Sequence, residues 1–302
     1  MAFTITTFNM HGFSQGELIL SHICDDLNYD IIFLQEIWLS PDQLYKLCTV
    51  SPNFISVGIS AMEKTLSNSV LYGRPFGGVA ILINNSYKDI MKIHVCSERF
   101  VIITLSDVAF VNVYLPNYRT DNDRQVVIDL LEEIKTNLIQ VDYSYLVFGG
   151  DINWDPEKSS PIFTSLSSFN SDLGLVLCDN FLNEASNLVT HSFEQVKLGR
   201  YAYIDHFFVS LFHPFFKPVS LTTLTDYRNH SDHLPLVLCL NIDGAALVNS
   251  VIRPSSRVGN VLSQAVFEYR CNLNLNWECA DLNLGLYTMS KLDVHLNQCY
   301  NR

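Results

Sequence analysis

Polar residues that can bind metals or transfer protons stand at or beside several apolar runs of this 302-residue chain. Asp151 and Asn153 follow the run 146–148 and two glycines, which leave room for a phosphate or a metal to approach the backbone. The other such clusters are Asn9, Gln35-Glu36, Tyr114, Asp205-His206 and Ser231-Asp232-His233. Because catalytic groups are often delivered from strand ends to one rim of a scaffold, the joint pattern predicts a single site.

The residue types in these clusters indicate metal-assisted phosphoryl chemistry. Glu36 is the best candidate metal ligand, because Mg²⁺ prefers one or two carboxylates together with water and substrate oxygens. Asp205 can hold His233 in one tautomer, so that the imidazole works as a general base or acid. Asp232, next to His233, can complete or support the metal shell.

Four further side chains complete the candidate set. Asp151 and Asn153 can orient an attacking water and bind a developing phosphorane oxygen. Tyr114 and Asn9 are candidate hydrogen-bond donors to the phosphoryl group. Each cluster taken alone also fits an ordinary strand-end loop, an Asx turn or a packed side chain. Only the combination favours a catalytic site.

The elements that carry these residues alternate between strands and helices. Alternating or short apolar runs predict strands, and apolar residues that recur every three or four positions predict helices. Strands are predicted at 3–8, 31–34, 79–83, 101–105, 109–113, 146–148, 203–209 and 234–240, and helices after Ser14, after Ser40-Pro41, over 123–139 and after Ser160-Pro161. The apolar run 173–178 is too short to assign. Interleaved helices and hairpin-like strand pairs favour a two-sheet α/β sandwich over a purely parallel sheet.

Composition places the chain among ordinary globular proteins. It has 48% hydrophobic and 17% charged residues, with no apolar run long enough to span a bilayer and no signal-peptide pattern. The eight cysteines are scattered without a C-x-x-C pair, so an intracellular protein with reduced cysteines is expected. The net charge of −12 argues against a broad basic face for nucleic acid. Any polyanion must be held by a local patch or a metal.

The apolar pattern weakens after Asp243, where Gly244 leads into an asparagine-rich stretch. A domain boundary is therefore predicted near residue 244. The prediction assigns residues 1–243 to one folded domain and residues 244–302 to a linker-like, partly helical tail.

Taken in order, the motifs resemble the endonuclease/exonuclease/phosphatase superfamily over about residues 3–241. The resemblance rests on Asn9, Gln35-Glu36, Tyr114, Gly150-Asp151-Ile152-Asn153, Thr190, Ile204-Asp205-His206 and Ser231-Asp232-His233. Within the superfamily, the chain most resembles the apurinic-like endonuclease domain of non-LTR (LINE-type) retrotransposons. This resemblance implies an α/β fold of the DNase I-like kind, a four-layered sandwich of two mixed β-sheets flanked by helices.

The same resemblance implies a Mg²⁺-dependent endonuclease that cuts a DNA phosphodiester and leaves a 3′-hydroxyl, with Mn²⁺ as the alternative cofactor. Carried over by position, the residues similar to the catalytic set are Asn9, Tyr114, Asp151, Asn153, Asp205 and His233. Glu36 and Asp232 are similar to the metal-site residues, and Thr190 and Ser231 to residues that contact the phosphate or support the site. Ser192 lies near Thr190 in sequence and is the alternative hydroxyl for the phosphate. Arg119 and Arg200 lie in loops beside the motifs and are candidate phosphate contacts; scattered solubility charges are the alternative.

One position departs from the family pattern. Many superfamily members carry Asp or Asn two residues after the first asparagine, where this chain has His11. Histidine is a poorer Mg²⁺ ligand than a carboxylate, so this residue bears on metal preference and on the level of activity.

Two other functions fit the same motifs. A phosphoesterase acting on a phosphomonoester, a lipid or RNA would need nearly the same site, because phosphoryl transfer mainly requires positioning and charge stabilisation. Its specificity would lie in the loops 60–74, 117–123 and 196–201. The second is a degenerate, non-catalytic binding protein.

The tail bears on partners and location. Residues 276–292 resemble the segment that joins such endonuclease domains to a reverse transcriptase, a region absent from this chain; a partner-binding tail is the alternative. DNA is the expected partner, and no association with a membrane is expected. The expected location is nuclear or cytoplasmic. The sequence does not indicate an oligomeric state.

Overall fold

The computed structural model describes residues 2–27, 29–68, 73–118, 120–158, 160, 162–182, 185–210 and 216–242. The predicted boundary near residue 244 and the tail 244–302 lie outside these residues. No helix within them is long and apolar enough to cross a membrane. The cysteines that the structure describes, Cys24, Cys48, Cys96, Cys178 and Cys239, form no disulfide bonds.

The described residues form strands in every region where the sequence predicts one. In chain order the strands are β1 (Ala2–Asn9), β2 (Ile31–Gln35), β3 (Phe54–Ile59), β4 (Val79–Asn84), β5 (Met91–Cys96), β6 (Phe100–Leu105), β7 (Val108–Tyr114), β8 (Tyr145–Asp151), β9 (Leu175–Leu177), β10 (Phe193–Gln195), β11 (Arg200–Ala202), β12 (Asp205–Ser210), β13 (Phe216–Thr223) and β14 (Leu236–Ile242).

Most of these strands belong to two six-stranded sheets. The first sheet has the order β13-β14-β1-β2-β4-β3, the second has the order β5-β6-β7-β8-β12-β9, and β10 pairs with β11 in a separate hairpin. The pairs β1–β2 and β7–β8 are parallel. Their neighbours pair antiparallel, as β1 does with β14 and β8 with β12. Two mixed sheets flanked by helices confirm the predicted sandwich.

Helices cover the outer face of each sheet. They are α1 (Phe13–His22), α2 (Tyr45–Thr49), α3 (Glu63–Asn68), α4 (Asp121–Leu138) and α5 (Ile162–Leu173). Apolar residues of α1 pack on the first sheet, and those of α4 and α5 pack on the second. The four layers are therefore helix, sheet, sheet and helix.

Local signals explain where two of the helices begin. A capping box joins Thr120 and Asp123 at the start of α4. The Thr120 side chain accepts the backbone N–H of Asp123, and the Asp123 side chain accepts the backbone N–H of Thr120. The start predicted at Ser14 is wrong: α1 begins at Phe13, after Gly12 at φ 101°, and Ser14 lies inside the helix. A turn of π-helix (Ile23–Leu27) follows α1, with Ile23 and Cys24 buried.

A buried amide joins the two sheets behind the site. Asn112 of β7 donates from Nδ2 to the carbonyl oxygens of Leu34 and Ala80, at 2.9 and 2.8 Å, in the opposite sheet. Its Oδ1 accepts a 2.6 Å hydrogen bond from Gln35 Nε2. Because buried polar groups are costly unless they are paired, these bonds favour one register between the sheets.

Candidate active site

Strand pairing brings the predicted catalytic residues to one edge of the sandwich. In the first sheet, Asn9 and Gln35 are register partners at the ends of β1 and β2. In the second, Tyr114 pairs with Asp151, and Asp151 pairs with Asp205. Asn9 Nδ2 donates to Asp151 Oδ2 at 2.9 Å, which links the two sheets at this edge.

Glu36 lies at the end of β2 and is held by neutral donors. Asn9 Nδ2 is 3.1 Å from Oε1 of Glu36, and Trp38 Nε1 is 3.1 Å from Oε2. The side chain of Tyr114 also hydrogen-bonds Glu36. Burial, followed by the nearby Glu36 and Asp151 carboxylates, raises the pKa of Tyr114, so its hydroxyl remains a donor. Three neutral donors, from Asn9, Trp38 and Tyr114, thus orient the Glu36 carboxylate.

Asp151 is almost fully buried, with 1% of its surface exposed. Its Oδ1 accepts the backbone N–H of Asn153 at 3.1 Å, and the Asn153 side chain donates from Nδ2 to the carbonyl of Leu115 at 2.8 Å. Burial, and then the adjacent Asp205 carboxylate, raise the pKa of Asp151 to about 7. A carboxyl group with a pKa near neutrality is suited to accept a proton from an attacking water.

Asp205 and His233 form a buried pair beside Asp151. His233 Nδ1 lies 2.8 Å from Asp205 Oδ2. Burial alone would lower the pKa of the imidazole, but the Asp205 and Asp151 carboxylates outweigh it and raise the pKa to about 9. Ser192 Oγ accepts the backbone N–H of Asp205 at 3.0 Å and so fixes the start of β12. The bond to Asp205 engages Nδ1 and so sets the orientation of the His233 ring.

The loop before β14 is tied to β1 through Ser231. The Ser231 hydroxyl donates to the carbonyl of Asn9 at 2.8 Å and accepts the backbone N–H of His233 at 3.1 Å. It therefore supports the loop. Asp232 Oδ1 lies 2.8 Å from Nδ1 of His11, the residue that departs from the family pattern. The contact with Asp232 raises the pKa of His11.

The backbone around the site is strained. Among the residues that the structure describes, the non-glycine residues with positive φ are His11 (47°), Glu36 (48°), Trp38 (50°), Ser106 (51°) and Asn153 (53°). Such conformations are uncommon for side chains of this size and concentrate where surrounding contacts impose them. All except Ser106 belong to the candidate site or contact it.

The two glycines before Asp151 serve a different purpose from the one predicted. A Cβ on Gly150, whose φ is 143°, would lie 1.9 Å from the carbonyl oxygen of Val113 in the neighbouring strand. A Cβ on Gly149 would lie 2.5 Å from the ring of Phe207. The space is filled by the protein itself, so the prediction of room for a phosphate or a metal is wrong.

Some predicted residues lie away from this cluster. The hydroxyl of Thr190 is exposed and lies 2.9 Å from Nδ1 of His191. Arg200 is exposed at the start of β11. Arg119 lies outside the described residues. The structure thus brings Asn9, Glu36, Tyr114, Asp151, Asp205 and His233 together at one edge of the sandwich, and among the described residues Thr190 and Arg200 are not hydrogen-bonded to them.

Two residues that the sequence did not single out hold this group in place. Trp38 donates to Glu36, and its ring centroid lies 4.8 Å from that of His11. Asn229 brackets the loop of His233: its Nδ2 donates to the His233 carbonyl at 2.7 Å, and its Oδ1 accepts the N–H of Ser231 at 3.0 Å. Proximity to the motifs in sequence was the only signal for either residue.

The donor set fits a divalent cation. Ligand atoms of Asp151, Asp205 and His233 lie within 4.8 Å of one another, and Oδ1 of Asp205 is buried without a hydrogen-bond partner. Asn9 connects this group to Glu36. Three neighbouring carboxylates carry more negative charge than one imidazolium balances, and oxygen ligands of this type suit Mg²⁺ or Mn²⁺.

Comparison with known sequences identifies the family. The sequence profile described as the Endonuclease/Exonuclease/phosphatase family matches residues 6–233. The chain belongs to this family. None of the curated protein sequences matches the chain significantly. The match runs from β1 to His233, so it includes the whole candidate site.

Solved structures of the endonuclease/exonuclease/phosphatase fold resemble the chain at low sequence identity. An AP endonuclease from Archaeoglobus fulgidus has a TM-score of 0.56 at 19% identity, covering 78% of this chain and 98% of its own. The endonuclease domain of TRAS1, a telomere-specific non-LTR retrotransposon, has a TM-score of 0.56 at 14% identity, covering 80% and 99%. A mannosyl-6-phosphatase from Bacteroides thetaiotaomicron has a TM-score of 0.54 at 16% identity, covering 79% and 99%.

These similarities confirm the superfamily and the fold that the motifs imply. Members of the endonuclease/exonuclease/phosphatase family are hydrolases of phosphoester bonds and generally use a divalent metal. The chain is accordingly a phosphoesterase of this family. Its neighbours in fold include nucleases and a sugar phosphatase, so the fold alone does not select the substrate.

Proposed function

We propose that the chain is a Mg²⁺-dependent endonuclease that hydrolyses a phosphodiester of DNA. The observation that carries this proposal is the placement of the groups from His233 to Glu36 side by side at one edge of the sandwich. It places a buried Asp205–His233 pair, with Nδ1 and Oδ2 2.8 Å apart, beside Asp151, and Asn9 links Asp151 to the half-buried carboxylate of Glu36. Phosphoryl transfer requires this combination of positioning and charge stabilisation.

Each residue of this group has a role that follows from its contacts. Asp151, with its pKa near 7, orients a water and accepts its proton. Asp205 holds Nδ1 of His233, and the other ring nitrogen donates a hydrogen bond to a phosphoryl oxygen. Asn9 fixes the Asp151 and Glu36 carboxylates relative to each other.

Following the motif resemblance, we assign the metal to Glu36 and Asp232, and we leave Asp151, Asp205 and His233, the buried group that Asn9 ties to Glu36, to the water and the phosphoryl group. A divalent cation bound there supplies positive charge to the phosphoryl oxygens. Trp38 and Tyr114 orient the Glu36 carboxylate for this purpose. Asn153, whose backbone N–H is bound by Asp151 Oδ1 and whose side chain donates to the Leu115 carbonyl, is assigned to the pentavalent phosphorus intermediate by the motif resemblance.

The choice of DNA rests on resemblance in motif and fold. The motifs resemble those of retrotransposon endonucleases, and the fold is shared with the TRAS1 endonuclease domain and with an AP endonuclease. In this proposal the chain nicks a target site for a retroelement and leaves a 3′-hydroxyl that can prime synthesis.

A small phosphomonoester is the second candidate substrate. The net charge of −12 favours it, because an acidic protein repels a long polyanion unless a local patch compensates. The shared fold of a mannosyl-6-phosphatase is compatible with this alternative.

A plasmid-nicking assay separates the two candidates. Supercoiled DNA is incubated with the full chain in Mg²⁺, in Mn²⁺ and in EDTA, beside 4-nitrophenyl phosphate and a sugar phosphate. We expect open-circular DNA in Mg²⁺ and none in EDTA, and the nicked strand should be extended by a DNA polymerase without prior phosphatase treatment. Release of phosphate from the small esters without any nicking would refute the endonuclease.

A further inference from the structure

Two arginines are stacked on the aromatic side chains that hold Glu36. The guanidinium carbon of Arg74 lies 4.7 Å from the ring centroid of Trp38. That of Arg99 lies 4.8 Å from the ring centroid of Tyr114. Trp38 and Tyr114 both hydrogen-bond the Glu36 carboxylate. Each guanidinium is thus one aromatic ring away from the proposed metal ligand.

Neither guanidinium pairs with a carboxylate among the residues that the structure describes. Other basic side chains do so, as in Lys158–Asp155 at 2.7 Å and Arg228–Asp226 at 2.6 Å. The chain has 19 basic and 31 acidic residues, so acidic partners are in excess. Composition alone would therefore not predict two arginines without such partners beside a carboxylate-rich site. Their positive charge remains available to a ligand.

Stacking leaves the hydrogen-bonding edge of an arginine free. A guanidinium over a ring face is held by cation–π attraction, while its N–H groups lie in the guanidinium plane and can engage a phosphate bidentately. Arg74 is exposed and Arg99 is half-buried, and the backbone carbonyl of Arg99 accepts the N–H of Tyr114 at 2.8 Å. Both residues are therefore anchored and accessible.

We propose that Arg74 and Arg99 bind the phosphates that neighbour the scissile phosphate, so that the site selects a phosphodiester chain over a small ester. This inference rests on the proposed function, since it assumes that the scissile phosphate lies at Glu36. It also supplies the local basic patch that an acidic endonuclease needs. Arg119 and Arg200, the arginines predicted from sequence, are not required for it.

Binding of a fluorescein-labelled DNA oligonucleotide, followed by anisotropy in Ca²⁺ over a series of salt concentrations, tests the proposal. Arg74→Gln and Arg99→Gln should each weaken binding by ~5- to 10-fold and lower the slope of log K against log salt by ~0.7 to 0.9 per phosphate contact. Lys217→Gln, which removes one exposed charge from β13, is the matched control and should change binding by less than ~2-fold.

A second measurement separates phosphate contacts from indirect effects on Glu36. Bis(4-nitrophenyl) phosphate is a diester without neighbouring phosphates. The arginine variants should raise KM for plasmid with little change in kcat, and they should impair hydrolysis of the small diester much less. Arg74→Lys and Arg99→Lys should recover part of the binding, because they keep the charge and lose the bidentate geometry.

Specific results would overturn the inference. The inference is contradicted if both glutamine variants bind DNA as tightly as Lys217→Gln does. It is also contradicted if the variants lose as much activity on the small diester as on plasmid. In either case, nicking by the unaltered chain would still support the endonuclease. Failure of the unaltered chain to nick DNA, with arginine-dependent oligonucleotide binding intact, would instead refute the proposed function. Absence of any DNA binding would refute both.

Discussion

The two sides of the candidate site are built in different ways. On the inner side, Asp151, Asp205 and His233 are 1%, 1% and 5% exposed, and the register of β8 and β12 sets the two aspartates opposite each other. On the outer side, His11 and Glu36 lie in connections after strands, in left-handed backbone conformations. The His11 side chain is 34% exposed.

The two sides therefore differ in what holds their side chains in position. The inner groups are positioned by sheet hydrogen bonds that also stabilise the fold, so their geometry requires no separate ordering. The outer groups depend on a few local contacts, such as the bond from Trp38 to Glu36 and the contact of His11 with Asp232. Substitutions on the inner side should therefore abolish chemistry, and those on the outer side should adjust metal and substrate binding.

The largest effect is expected on the inner side, from His233→Ala. Removing the imidazole leaves Asp205 and Asp151 without their neighbouring cation and removes the group that we propose as donor to the phosphoryl oxygen. Nicking should fall by ~10³-fold, about 4 kcal/mol of transition-state stabilisation. Initial rates on supercoiled plasmid measure the loss, and His94→Ala, on the edge strand β5, is the control. Unaltered nicking by His233→Ala would remove His233 from the mechanism.

The next effect should appear on the outer side, from Trp38→Phe. Phenylalanine keeps a ring beside His11 but lacks the Nε1–H that donates to Glu36. Loss of a partner that orients a metal ligand typically weakens metal affinity ~10- to 100-fold. A Mg²⁺ titration of nicking should show the higher half-saturating concentration, with the saturated rate largely recovered. Equal Mg²⁺ titrations for both proteins would show that Trp38 does not orient Glu36.

A smaller effect is expected where the two sides join, from Asn229→Ala. The substitution removes both bonds that bracket the loop of Ser231 and His233. The looser loop should lower kcat ~10-fold, equivalent to about 1.4 kcal/mol, with KM nearly unchanged. Asn229→Asp, which keeps the acceptor for the Ser231 N–H, should recover part of kcat. A drop in thermal stability with unchanged kcat would limit Asn229 to a structural role.

The smallest effect is expected from His11→Asn, which restores a residue type common in the family. Asparagine tolerates the left-handed conformation of position 11 better than histidine does, and it releases Asp232 from its contact. The ratio of activity in Mg²⁺ to activity in Mn²⁺ should rise ~3-fold, which corresponds to a free-energy change of less than ~1 kcal/mol. A ratio that stays constant would show that His11 does not set metal preference.

Sequence patterns predicted the inner side well because that side depends on strands. The apolar runs before Asp151 and after Asp205 fix β8 and β12, and parallel β7 brings Tyr114 to the same edge. A residue at a strand end is then placed by register alone. The same reasoning predicted both mixed sheets and the helix α4.

The parts that could not be predicted depend on contacts distant in sequence. Strand β13 escaped notice because Pro218 interrupts it and a register irregularity follows. The stacking of Arg74 on Trp38 requires two loops to meet, which no local pattern encodes. Glycines 149 and 150 suggested a ligand because their neighbours, Val113 and Phe207, belong to other strands.

The hydrogen bonds of Asn112 to Leu34 and Ala80 have a consequence for how the enzyme is assembled. Asn9 and Glu36 extend from one sheet, and Tyr114, Asp151 and Asp205 from the other, so neither sheet alone contains a competent centre. A partly folded chain, or one whose sheets have slipped past each other, is inert toward phosphoesters. We therefore expect cleavage only after both sheets have packed together.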